Sequence, residues 1–180
     1  MSIEAGFDET GSDDPELDPA QAYALAKKVV YDRLAERQRS RADLAQALAK
    51  RRVPAEVADA VLDRCEAAGL VDDTAFAQEW VRARHGAKGL APRALAQELR
   101  KHGIDDELAA EALSQIDGDS QRAAAVALVE RKLRSMGGLD DTTRIRRLTA
   151  MLGRKGYAPQ LAFDVVREAL DAEPPSIEWS

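Results

Sequence analysis

Residues 92–113, PRALAQELRKHGIDDELAAEAL, decide the fold. Leu95 and Leu99 stand four residues apart, Gly103 and Ile104 interrupt the run, and Leu108, Ala112 and Leu113 follow. A four-residue spacing puts both leucines on one helical face. Gly103 predicts a left-handed helix end, and Ile104 after it packs back on the last turn before a second helix begins. The pattern recurs without gaps on either side. At an offset of 51 toward the N-terminus come Leu44, Leu48, Val53, Val57, Val61 and Leu62; at an offset of 53 toward the C-terminus come Leu148, Leu152, Tyr157, Leu161, Val165 and Val166. Gly156 precedes Tyr157 as Gly103 precedes Ile104, and Arg52 takes that place before Val53. Six apolar positions recurring in order across three segments define an internal repeat.

A further amphipathic segment precedes each helix pair: Pro19 to Gln38, Asp73 to His85 and Asp119 to Met136. Ser40, three residues before Asp43, reads as an N-cap in a capping-box variant, and Pro19 and Pro92 suit the first helical position. The expected fold is all-α, with three tandem three-helix repeats at 20–70, 71–118 and 119–171. A unit this small is near the minimum that folds alone, so the repeats are expected to stack end to end into an elongated, curved molecule. Aromatic residues make up only 4% of the chain, which leaves little material for a sheet.

The net charge of -6 conceals an uneven distribution. Residues 1–19 carry seven acids and no base, and three more acids lie in the last ten residues; the body between them holds 26 bases against 22 acids. The acidic segment 1–19 is expected to be a disordered tail and 172–180 a flexible one. A mildly basic body permits contact with nucleic acid or an acidic partner surface. The longest uncharged apolar run, Ala123 to Val129, is far short of a membrane span, and the acidic N-terminus lacks the features of a secretory signal, so a cytoplasmic location is expected. Cys65 is the one cysteine and there are two histidines, so no disulfide, metal site or cofactor is expected.

Catalytic signatures are missing. Gly86 and Gly89 flank Lys88 without the strand a phosphate loop needs, and read as a helix end. Ser40, His85 and His102 have no third orienting group, so the chain is expected not to be an enzyme. The two histidines are expected on solvated helix ends, and Cys65, aligned with Ile116, in the core. Phe76 and Trp80 align with Leu25 and Val29 and are also expected to be core residues, which leaves few aromatics for stacking on bases.

Positive charge is the remaining functional signal. The third helices of the first two repeats are acidic (Glu56, Asp59, Asp63, Glu66; Asp105, Asp106, Glu107, Glu111), and the cations concentrate on first and second helices. Arg33 and Arg37 recur at an offset of 51 as Arg84 and Lys88, four residues apart on one face. Two readings stay open: an ion pair with an acidic third helix, or a row of cations facing phosphate or an acidic partner. Arg82, Arg93, Arg100 and Lys101 have only Glu79 and Glu98 as acidic neighbours at helical spacing. Residues 144–155 hold Arg144, Arg146, Arg147, Arg154 and Lys155 with no acid. The candidate partner- or DNA-binding set is therefore Arg82, Arg84, Lys88, Arg93, Arg100 and Lys101 in the middle repeat, and Arg144, Arg147, Arg154 and Lys155 in the third.

The segments Ser40-Arg-Ala-Asp-Leu44, Gly69-Leu70-Val71-Asp72-Asp73-Thr74-Ala75-Phe76-Ala77, Trp80-Val-Arg82-Ala-Arg84 and Gly89-Leu-Ala-Pro92-Arg93, with Leu95 and Glu98-Leu99, resemble the motifs of the RecX family. The resemblance covers about residues 20–170 and is most specific from Gly69 to Ile104; the third repeat, with its connection around Gly137-Gly138-Leu139-Asp140, is more generic. It implies three tandem three-helix repeats, and a monomeric regulator that binds RecA filaments on single-stranded DNA and lowers their ATP hydrolysis, strand exchange and co-protease activity. Recombination and the SOS response would be dampened, with possible direct contacts to DNA phosphates. Two other classes fit three-helix units. A helix-turn-helix DNA binder needs a basic recognition helix, which the acidic third helices disfavour, and a protein-binding scaffold of the common two-helix kind repeats every 34 residues.

Overall fold

The structure is a computed structural model and describes Asp18 to Ala172. The two expected tails therefore lie, apart from Asp18, Pro19 and Ala172, outside the described residues. Among those residues there are nine helices and no strand: α1 (Pro19–Glu36), α2 (Arg41–Lys50), α3 (Ala55–Ala67), α4 (Asp73–Lys88), α5 (Pro92–Lys101), α6 (Asp106–Leu113), α7 (Gly118–Leu133), α8 (Asp141–Arg154) and α9 (Pro159–Asp171).

Local chemistry sets most boundaries. The side chains of Ser40, Asp72, Asp105, Asp117 and Asp140 accept from the backbone N–H three residues on, opening α2, α4, α6, α7 and α8. Proline stands in the first turn of α1, α5 and α9, where its missing N–H costs nothing. Helix α4 runs one turn past the expected His85 and stops at Gly89, with φ +59°. Helix α7 ends at Leu133, a turn short of Met136, and Met136 is buried in the third core.

Each repeat closes largely around its own core, with Ala91 of the second repeat packed into the third. The paired leucines of the second helices (Leu44 and Leu48, Leu95 and Leu99, Leu148 and Leu152) are fully buried. Burial of one such side chain contributes roughly 2 kcal/mol. In the first repeat they meet Val30, Val61, Leu62 and Cys65, in the second Phe76, Val81 and Ile104, and in the third Val129, Tyr157, Val165 and Val166. The helix pairs in extensive contact all fall within a single repeat.

The repeats join through a narrow contact of constant geometry. The start of each second helix docks on the end of the next second helix. At the first joint Ser40 Oγ donates to the carbonyl of His102 (2.7 Å); at the second the backbone N–H of Ala91 donates to the carbonyl of Lys155 (2.9 Å). His102 and Lys155 are the equivalent C-cap residues of α5 and α8. The next residue in each, Gly103 (φ +71°) and Gly156 (φ +88°), is left-handed, and a Cβ on either would strike Ala42 or Ala94 of the preceding repeat. Glycine is therefore required twice over, for φ and for space. Arg52 holds the same position in the first repeat with φ +57°. No repeat precedes it among the described residues, so the close approach that demands glycine is missing and a side chain is tolerated.

Ser40 thus does two things, capping Asp43 N–H (3.1 Å) and donating across the joint, and it is completely buried. Ser40→Ala removes both bonds and leaves two part-buried partners unmet. It should cost about 2 kcal/mol, read from the denaturation midpoint. A loss below about 0.5 kcal/mol would show that water replaces the hydroxyl.

Candidate functional site

The groove between the C-terminal half of a first helix and the outer face of the following second helix gathers cations in repeat after repeat. In the first repeat Arg33, Arg37, Arg39 and Lys50 line a space of about 170 Å³ with Asp43, Gln46 and Ala47. In the third, Lys132, Arg146, Arg147 and Arg154 line about 430 Å³ with Ser135, Met136, Ala150 and Met151. These are the same place: the two successive offsets carry Asp43, Gln46, Ala47 and Lys50 onto Arg147, Ala150, Met151 and Arg154. The third groove has no acidic lining residue.

The middle repeat fills the corresponding place with its own side chains. Arg84 lies over the Trp80 ring, 4.3 Å from its centroid, and 3.5 Å from the Glu98 carboxylate. Glu98 also accepts from Trp80 Nε1 at 2.9 Å. The ion-pair reading therefore holds for Arg84, with a second-helix acid as partner. Trp80 is half-buried beneath it, continuous with the core through Phe76, whose ring centroid is 5.5 Å away.

The candidate cations divide accordingly. Arg82 pairs with Glu79, Arg100 donates to Asp106 (2.9 Å) and Arg144 lies 3.7 Å from Asp141. Lys155 Nζ donates to the Lys88 carbonyl (2.5 Å) across the second joint. Burial, then the charges of Arg131 and Lys88, hold the Lys155 ammonium below its ordinary pKa. Lys88, Arg93, Lys101, Arg147 and Arg154 are exposed and form no ion pair among the described residues. The structure adds Arg33, Arg37, Arg39, Lys50, Lys132 and Arg146 to the same grooves. In sequence Arg33 and Arg37 show as a pair on one helical face and Arg146 as part of a basic run, but the facing helix that makes a groove of them lies beyond a turn.

Several expectations require correction. His102 is no solvated helix end: it is half-buried at the first joint, its Nδ1 is 2.9 Å from the Asp43 carboxylate, and its ring centroid lies 4.2 Å from that of Trp80. Asp43 therefore spends its side chain on His102 and does not complete a capping box. His85 Nδ1 donates to the Leu90 carbonyl (2.9 Å) within its own repeat. The acids of α3 face Arg41, which reaches Asp63 (2.8 Å), Glu66 (2.7 Å) and Asp59 (3.6 Å).

Three family models match in order: the first three-helix domain of RecX over residues 26–65, the second over 72–113 and the third over 119–169. The chain belongs to the RecX family. Among RecX relatives, a regulatory protein RecX from Streptomyces coelicolor is 47% identical over 161 residues, 89% of this chain and 84% of its own length. One from Amycolatopsis mediterranei is 42% identical over 155 residues, 86% of this chain and 89% of its own. The crystal structure of RecX from Lactobacillus salivarius shares the fold with a TM-score of 0.73 at 19% identity, covering 83% of this chain and 97% of that one. The Streptomyces and Amycolatopsis relatives are named regulatory proteins. Among the described residues of this RecX chain, no group of His, Cys, Asp or Glu could hold a metal ion, and no helix is long and apolar enough to cross a membrane.

Tyr157 reports on the second RecX joint. Its hydroxyl donates to the Gly89 carbonyl (3.0 Å), it is buried, and burial pushes its pKa up to about 12. The folded pKa lies above the unfolded value near 10. The associated stability is therefore fully present below about pH 10 and is lost as pH rises toward 12. Tyr157→Phe should flatten that alkaline loss and cost about 1 to 2 kcal/mol at neutral pH, from the orphaned Gly89 carbonyl. An unchanged alkaline limb in the variant would assign the loss to another group.

Proposed function

We propose that this chain binds RecA filaments assembled on single-stranded DNA and lowers their ATP hydrolysis, strand exchange and co-protease activity, so damping recombination and the SOS response. The observation that carries this reading is the recurrence of cation-lined grooves at equivalent positions of the first and third repeats, with Lys88, Arg93 and Lys101 exposed between them. A spaced series of unneutralised cations fits a polyanionic or acidic surface that itself repeats, which a filament supplies. Family membership supports the same reading, since the relatives are named regulatory proteins. Inhibition then comes from bridging: an array held at several points resists relative movement of the protomers it spans. In this reading the chain works as a cytoplasmic monomer, requires no cofactor or metal and hydrolyses no nucleotide.

Docking draws on the candidate set unequally. Lys88, Arg93, Lys101, Arg147 and Arg154 make the contacts, Lys155 braces the joint behind them, and Arg82, Arg84, Arg100 and Arg144 chiefly shape their own repeats. The test is co-sedimentation with RecA on single-stranded DNA, with naked single-stranded DNA as control, across salt concentrations. Salt-sensitive pelleting with the filament, accompanied by a fall in ATPase rate, is the expected result. Pelleting with neither would remove the reading, and tight sequence-specific duplex binding would replace it with the helix-turn-helix alternative.

A further inference from the structure

The groove of the first repeat differs from that of the third in being walled partly by the neighbouring repeat. His102, from the end of α5, lines it together with Arg33, Arg37, Arg39 and Lys50 of the first repeat. Asp43 is the one carboxylate among the lining residues, and its two oxygens lie 2.9 and 3.1 Å from His102 Nδ1. Arg33, Arg37 and Lys50 are exposed and form no ion pair among the described residues. Arg39 gives one terminal nitrogen to Glu36 (2.8 Å), but its side chain is only 14% exposed and its Nε is buried without an acceptor. Four permanent cations thus surround a space of about 170 Å³ whose one carboxylate is already engaged by His102.

Such a lining suits an anion with several acceptor oxygens. A carboxylate offers two; a phosphate group offers more, carries more charge and matches the forked donors of arginine. We propose that the groove between α1 and α2 is a phosphate-binding site whose occupancy braces the first repeat against the second. Bracing follows from the lining. A phosphate held here touches a space bounded by both repeats, at a joint otherwise secured by Ser40 on the His102 carbonyl, the Asp43–His102 pair and the Arg41 N–H on Asp73. The phosphate is either a free ion or one phosphodiester of a DNA strand, and the same cations recognise both. The site rests on the filament reading only where the phosphate is DNA's, and it is tested on the isolated chain without any filament.

The experiment is a titration of the full chain carrying Trp179→Phe, so that Trp80, whose ring lies tilted against His102 with centroids 4.2 Å apart, is the only tryptophan emitting. Inorganic phosphate and a short single-stranded oligonucleotide form two arms, with chloride at matched ionic strength as control. The expected result is a saturable one-to-one change in Trp80 emission and a rise in Tm, with a dissociation constant in the millimolar range or tighter in at least one arm. Response to phosphate identifies a free-ion site, and response to the oligonucleotide alone identifies a seat for the DNA backbone. Arg37→Glu with Lys50→Glu should weaken the response by about tenfold or more, whereas Arg167→Glu, exposed on α9 and lining neither groove, should leave it intact. Arg39→Lys keeps the charge but removes the fork, and should weaken binding even if the double variant folds poorly. A response matched by chloride, one indifferent to all these variants, or none in either arm would overturn the proposal. Loss of filament binding with phosphate binding retained would instead count against the filament reading alone.

Discussion

Gly156→Ala should destabilise the chain by about 3 kcal/mol, lowering Tm by roughly 5–10 °C. Two penalties add. A side chain at φ +88° sits in the left-handed region, and its Cβ would lie 2.5 Å from the Ala94 nitrogen and 2.8 Å from the Ala94 Cβ, so the joint between the second and third repeats must open. Helix content should survive, because each repeat keeps its own core, while amide protection near Ala91 and Tyr157 falls. The contrast is Arg52→Gly, at the equivalent left-handed position. It relieves φ strain with no preceding repeat among the described residues to disturb, and should change stability by no more than about 1 kcal/mol. Denaturation of both variants checks the pair. If Gly156→Ala costs less than about 1 kcal/mol, the close approach at the second joint is not a constraint in solution.

Charge reversal in the third groove should have the larger effect on binding. Replacing Arg146, Arg147 and Arg154 together with glutamate should weaken association with RecA filaments by at least about tenfold at moderate salt, and flatten the salt dependence. The three side chains are exposed and the groove has no acidic partner for them, so the fold should be unaffected. Lys88→Glu, Arg93→Glu and Lys101→Glu, combined, should act in the same direction. Arg82→Glu alone should do little, because Glu79 already neutralises that guanidinium. Sedimentation and ATPase inhibition across salt, with melting temperatures as the fold control, decide the matter. A folded third-groove variant that inhibits like the parent would exclude this groove from the interface.

The repeat was legible because its signals are local. Leucines four residues apart, a glycine before an apolar residue and a capping side chain three residues ahead act within one or two turns, and they placed the second and third helices of each unit. The joints were not legible. Gly103 and Gly156 were read correctly as left-handed helix ends, yet nothing in their own segments shows that Ala42 and Ala94 approach from 61 and 62 residues away. His102 was misplaced for the same reason, since its partners Asp43 and Trp80 lie in other helices. For the candidate site, sequence located the charge but not its neutralisation. Glu79 is a helical neighbour of Arg82 and was visible, whereas Glu98 reaches Arg84, and Asp106 reaches Arg100, only after a turn folds back.

The joint also has a polarity that matters beyond one molecule. Every docking event pairs the start of one second helix with the end of the next, so two copies laid head to tail would in principle reproduce it and grow into an open fibre. The end that would receive an incoming copy presents Arg52, where the internal joints present glycine. A Cβ at the equivalent internal positions would strike the Ala42 Cβ or lie 2.5 Å from the Ala94 nitrogen. The two ends are therefore a poor match for each other: the end of α2 carries a side chain where its two counterparts have none, and the start of α8 carries Arg146 and Arg147 where the internal joints carry Ala42 and Ala94, which disfavours head-to-tail growth while leaving the internal contacts free to repeat.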